Sequence, residues 1–144
     1  MAHTFQVEAR WKEGLRGEIQ PSGASVTVPF AVPKEFGGPG GEWTPEHFFS
    51  SAVASCVMAT FLSMAQMSKL AIASYQSRGT CTMEKAESGG FKITGVTLEP
   101  RITVPAEKDR ERARRLIEKA EKMCPVSNSI KCPVAVKATV ESEG

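Results

Sequence analysis

The residues of this 144-residue chain best suited to chemistry are its four cysteines, Cys56, Cys81, Cys124 and Cys132. A thiolate is a nucleophile, a reductant and a metal ligand, whereas a thiol in apolar surroundings is inert. The nearest two, Cys124 and Cys132, are eight residues apart and no C-x-x-C occurs, a spacing that suits none of the common zinc motifs. Cys56 lies within residues 47–68, a stretch without Asp, Glu, Lys or Arg. On a helix its same-face neighbours are Phe49, Ala52 and Val53, and apolar walls of that kind raise a thiol's pKa. A reactive Cys56 therefore needs a cation from another element. Arg16, in Gly14-Leu15-Arg16-Gly17, is the candidate, because guanidinium stays charged and presents five donors. Glu46 could hold that arginine through a bidentate pair. Ten helical residues put Glu46 about 15 Å from Cys56 along the axis, so an extended arginine lying between them is the expected arrangement.

Cys124 precedes Pro125 and is far from Cys56 in sequence. Only the fold could bring the two within the roughly 4.4–6.8 Å between Cα atoms that a disulfide requires. Each of these residues also has a plainer reading. Cys56 could be a small core residue, Cys124 filler at a helix end, Arg16 a turn residue and Glu46 a first-turn complement to the helix dipole. Cys81 and Cys132 are expected to be inert, His47 to face solvent, and Met58, Met64 and Met67 to pack.

Composition restricts the classes of function. Hydrophobic residues make up 41% and charged residues 24%, which excludes disorder, collagen-like repeats and a coiled-coil rod. A net charge of +2 is too close to balance to indicate a nucleic-acid partner. No basic segment leading into an apolar run opens the chain, so no export signal is expected. With four cysteines this points to a reducing cytoplasm rather than to structural disulfides. The uncharged stretch has the length of a membrane span, but serines, Thr60 and Gln66 interrupt it all round; a buried central helix and no membrane partner are expected.

The elements that must carry these residues follow from pattern and punctuation. Residues 3–11 and 24–30 read as strands, with turns at 14–17 and 21–23, and the glycines of residues 36–41 make a loop. Thr44-Pro45-Glu46 starts a helix, with Thr44 as cap and Pro45 in the first turn, running to about Lys69. Residues 73–87 and 91–104 form two long strands joined at Ser88-Gly89-Gly90. Pro105 opens a second helix through about Met123, with an apolar stripe of Ala113, Leu116, Ile117, Ala120 and Met123. A final strand spans 133–140. Strands with segregated helices make a single α+β domain over residues 1–144. The first helix is apolar nearly all round, so a second copy of the chain is expected to cover the face that the sheet leaves open.

Thr44-Pro45-Glu46-His47-Phe48-Phe49, followed by Ala54-Ser55-Cys56, resembles the N/T-P-E-x-L-F…A-A/S-C segment of the OsmC/Ohr family of thiol-dependent hydroperoxide reductases. Cys124-Pro125-Val126-Ser127 resembles that family's second segment, C-P-x-S, and Arg16 matches its N-terminal arginine. Phe48 stands where leucine is common. The resemblance implies an antiparallel sheet wrapped around long central helices in an intertwined homodimer. It also implies roles: Cys56 peroxidatic, Cys124 resolving, Arg16 and Glu46 activating. Cys132, close to Cys124, is an alternative resolving partner. The implied partners are an organic hydroperoxide substrate and a dithiol reductant such as a lipoyl protein, with no cofactor and no resident metal. Two other readings remain open: a non-enzymatic stress-response or small-molecule binding protein on the same dimeric fold, and a thiolate metal site using Cys56, Cys124 and His47.

Overall fold

The computed structural model describes all 144 residues, which fall into two compact units, Met1–Phe48 and Phe49–Gly144. The first unit is built on a three-stranded antiparallel sheet, β1 (Val7–Glu13), β2 (Arg16–Pro21) and β3 (Val28–Ala31), in that spatial order. Gly14, at φ 51°, turns β1 into β2. β3 is shorter than the expected strand from Ala24, since its ladder with β2 begins only at the Ile19–Val28 pair. Beyond that pair β2 runs into Pro21, which has no N–H to extend the ladder. In the loop that follows, a Cβ on Gly38 would fall 1.6 Å from the Val32 carbonyl oxygen, so only glycine fits.

The long helix α1 (Pro45–Met67) starts in the first unit and continues through the second. From Phe49 onward one row of it, Val53, Val57, Phe61 and Ala65, is buried, as i, i+4 spacing requires of one helix face. Met58, Leu62 and Met67 on its other sides are exposed. The second unit continues with the hairpin of β4 (Ser74–Lys85) and β5 (Phe91–Val104), then α2 (Arg110–Met123), β6 (Val134–Val136) and β7 (Thr139–Ser142). Gly79 lets α1 approach β4: a Cβ there would meet Leu98 Cδ2 and Ser50 Oγ at 3.2 Å and Ala54 Cβ at 3.6 Å. The core joins the α1 row to Val96, Leu98, Ile102 and Val104 of β5, Ala113, Ile117 and Ala120 of α2, Cys124, and Val140 of β7.

Three expectations need correction. The second sheet is not wholly antiparallel: β4 and β5 are, but β6 and β7 both run parallel to β5. The helical crossover through α2 carries the chain back to the same end of the sheet, and the next strand must then run the same way. The expected final strand is also two strands. Val96 donates to the Pro133 carbonyl and Leu98 accepts from the Lys137 N–H, so the even-numbered residues of β5 face this edge. Pro100 has no N–H to offer there, and the ladder breaks between the Leu98–Val136 and Arg101–Thr139 pairs. Finally, α2 begins at Arg110, after a 3-10 turn at Glu107–Asp109, and Met123 is exposed while Cys124 takes its place in the core.

Candidate active site

The helix start that carries Glu46 is closed by a reciprocal cap. The His47 N–H donates to Thr44 Oγ1 at 3.3 Å, and the Thr44 N–H donates to His47 Nδ1 at 3.0 Å. This is a capping box with histidine in the place usually held by glutamate; His47 is exposed, as expected, and also has a local partner. Thr44→Ala is expected to lower unfolding free energy by about 1 kcal/mol, read from the denaturant midpoint at unchanged slope.

The same region fixes Arg16. It pairs with Ala31 across β2 and β3, and the Ala31 N–H donates to the Trp43 carbonyl at 2.8 Å. Trp43 stacks on Phe48 with ring centroids 5.5 Å apart, and Phe30 meets Phe48 edge-on at 6.0 Å. This packing brings Glu42 beside the arginine: Arg16 Nη1 and Glu42 Oε1 are 2.6 Å apart. The acid paired with Arg16 is thus Glu42, not the expected Glu46. Two strands and an aromatic clamp set that pairing, and no spacing in the chain reports it. Glu46 has its Oε1 buried without a hydrogen-bond partner.

Within the second unit, the fold brings the side chains of Cys56 and Cys124 close enough to act on each other's ionisation. Cys56 lies mid-way along α1 and is half-buried, while Cys124 is 0% exposed. Cys124 takes an extended conformation, φ −67° and ψ 116°, as a residue before proline prefers, and this ends α2. Asn128 Nδ2 donates to the Lys122 carbonyl at 3.0 Å, satisfying an orphaned carbonyl of the last turn. The chain then folds back, with the Asn128 N–H on the Cys124 carbonyl at 3.1 Å and the Ser127 N–H on Cys124 Sγ at 3.5 Å.

These surroundings divide the two thiols. Burial, with a further push from the neighbouring Cys124 sulfur, raises the Cys56 pKa above that of an ordinary thiol. The Val126 N–H and the Thr60 hydroxyl, one helical turn on, oppose that rise. Burial also acts upward on Cys124, but it is outweighed by the Cys56 thiol donating to it, by the Ser127 hydroxyl and N–H, and by the Val126 N–H, so this pKa is lowered. Hydrogen bonds to the charged form favour it. The Ser127 hydroxyl is buried and close to Cys124, although it makes no hydrogen bond of good geometry. Within the second unit, the local donors therefore favour a thiolate on Cys124 over one on Cys56.

The sequence model of the family described as OsmC-like protein matches residues 38–139. The chain belongs to the OsmC-like family. It is 30% identical over 128 residues to the organic hydroperoxide resistance protein of Xanthomonas axonopodis pv. citri, covering 88% of this chain and 87% of that one. Among solved structures it is similar to an organic hydroperoxide resistance protein from Legionella pneumophila, with a TM-score of 0.75 at 28% identity and 98% of each chain covered. An OsmC-like protein of unknown function from Vibrio cholerae shares the fold at a TM-score of 0.85 and 18% identity, over 96% of this chain and all of that one.

In this OsmC-like chain the other two cysteines also lie in the second unit. Cys81 is half-buried in β4 opposite Val96. Cys132 lines a cleft of about 550 Å³ with Phe49, Lys92, Ile93, Ile130 and Lys131. Thr60, the Val126 and Ser127 N–H groups and Glu42 were not singled out from sequence. Only Thr60 carried a legible signal, its i+4 spacing from Cys56; backbone donors have no residue signature.

Proposed function

We propose that this chain is a thiol-dependent peroxidase reducing organic hydroperoxides in a reducing cytoplasm, with Cys56 peroxidatic and Cys124 resolving. The observation carrying this reading is the contact between a half-buried Cys56 and a fully buried Cys124. A substrate can reach the first sulfur more readily than the second, and the second is close enough to act on the first, which supports a resolving role for it. The Cys56 thiolate attacks the distal peroxide oxygen, the O–O bond breaks, and the alkoxide takes a proton to leave as alcohol. Cys56 becomes a sulfenic acid. The Cys124 thiolate then attacks Cys56 Sγ and displaces hydroxide, which leaves as water once protonated. A dithiol, such as a lipoyl protein, returns the two electrons. The relatives named for organic hydroperoxide resistance support this substrate class, as do the apolar neighbours Phe49 and Val53.

Because the groups around the pair favour a thiolate on Cys124 over one on Cys56, catalysis needs a charge that favours it on Cys56. We assign that role to Arg16; Glu42 is the acid that it pairs with here, and Glu46, whose Oε1 is buried without a donor, is proposed as a second acid that holds the guanidinium during catalysis. The exposed Met58 and Leu62, one turn apart on α1, support a homodimer in which a second copy covers this face; light scattering is expected to give twice the 15.5 kDa chain mass, and a monomer would refute it.

The deciding experiment is thiol counting. Reduced protein mixed with cumene hydroperoxide should lose two thiols rapidly, faster than with hydrogen peroxide, and Cys56→Ser should lose none rapidly. A non-enzymatic binding protein, which would use the cleft lined by Phe49, Ile93, Ile130 and Cys132, predicts slow, unselective loss instead.

A further inference from the structure

We infer that when the Cys56–Cys124 disulfide is reduced, the incoming thiolate attacks Cys56 Sγ and Cys124 is the leaving group, so the mixed disulfide with the reductant forms on Cys56 alone. The inference rests on the proposed redox couple and adds the direction in which it is recycled.

Two independent features of the site point the same way. The first is access. Exchange needs a thiolate to reach one sulfur along the S–S axis, and Cys124 is 0% exposed while Cys56 is reachable. The second is where charge can be held. Exchange is faster when the departing sulfur is the more stable thiolate. The Ser127 N–H is aimed at Cys124 Sγ at 3.5 Å, and the Val126 N–H also donates there. These donors belong to a backbone already folded back on itself through the Asn128–Cys124 and Ser129–Val126 hydrogen bonds, so they need no rearrangement as charge develops. The Ser127 hydroxyl, buried and without a well-formed partner, is free to turn onto the departing sulfur. Cys56 has only the Thr60 hydroxyl and a share of the Val126 N–H.

The step balances. One sulfur of a dithiol, as thiolate, bonds to Cys56 Sγ; the protein S–S bond breaks, and its electron pair leaves on Cys124. The second sulfur of the dithiol then attacks the first, closing a cyclic disulfide and releasing the Cys56 thiolate. The dithiol is oxidised by two electrons and the protein disulfide is reduced by two. Val126 and Ser127 act as positioning residues, through the charge that they hold on Cys124.

The test begins with protein oxidised by diamide, which requires no peroxidase activity. A monothiol, 2-mercaptoethanol, is added briefly, exchange is quenched with acid, free thiols are blocked with N-ethylmaleimide in denaturant so that the buried Cys124 is reached, and peptides are mapped by mass spectrometry. The expected product carries mercaptoethanol on Cys56 and maleimide on Cys124, in roughly tenfold excess over the reverse. The reverse product, or equal amounts of both, overturns the inference. Failure of diamide to join the two sulfurs would instead overturn the redox couple itself. For Ser127, the ultraviolet absorbance of the reduced pair's thiolate is titrated: Ser127→Ala should move its appearance to higher pH and slow dithiol reduction about threefold, with Ser127→Thr restoring both. An unmoved titration in Ser127→Ala removes Ser127 from the scheme.

Discussion

Cys56→Ser is expected to abolish hydroperoxide reduction, by a factor on the order of 10³ or more, because a serine hydroxyl cannot supply a thiolate nucleophile. Cys124→Ser should behave differently, and the contrast is the informative part. With Cys124 removed, Cys56 still reacts once, but no second thiol lies in contact to condense with the sulfenic acid. Steady-state turnover should collapse while a first burst of about one alcohol per chain remains. The sulfenic acid then climbs to the irreversible sulfinic state under excess peroxide. Rapid-quench measurement of alcohol released, with mass spectrometry of the Cys56 peptide, reads both outcomes. Equal loss of the burst in both variants would mean that the two sulfurs are not assigned correctly. Retained turnover in Cys124→Ser would point to Cys132 as the resolving thiol.

Arg16→Ala carries the next largest expected effect, a loss of about 10²–10³ in kcat/KM for the hydroperoxide, the usual consequence of removing one preorganised donor from a developing charge. The requirement follows from the thiol pair itself. Burial lifts the pKa of Cys56 and local donors lower that of Cys124, so without a cation these groups favour a thiolate on the sulfur that peroxide cannot reach. Arg16→Lys should also be impaired, because a point charge cannot replace a planar fork. Full activity in Arg16→Ala would refute the assignment. Glu42→Gln and Glu46→Gln separate the two acids: the 2.6 Å pair belongs to Glu42, yet the proposed activating role belongs to Glu46. Greater loss in Glu46→Gln supports that role, and loss confined to Glu42→Gln transfers it to the acid seen in the ion pair.

Much of the local structure was readable from residue type. The helix start at Thr44-Pro45 and the turn at Ser88-Gly89-Gly90 are governed by capping and by positive φ, which act over a few residues. The two long strands and the buried stripe of the second helix follow from periodicity. Misreadings arose where one residue acts at a distance. Pro100 is unremarkable within β5, yet its missing N–H divides the neighbouring edge into β6 and β7. The direction of those strands depends on which end of the sheet the α2 crossover returns to, and neither strand's own pattern contains that information.

The site divides along the same line. The types and order of Cys56, Cys124, Arg16 and Glu46, and the uncharged helix that makes a bare thiol at Cys56 inert, are properties of the chain as written. They name the chemistry because nucleophilicity and charge belong to individual side chains. Which sulfur its neighbours favour as thiolate, and which acid grips the arginine, were decided only by tertiary structure. Both depend on N–H groups and carboxylates brought within about 3.5 Å by packing between elements far apart in sequence, and electrostatic preference falls away steeply beyond such distances.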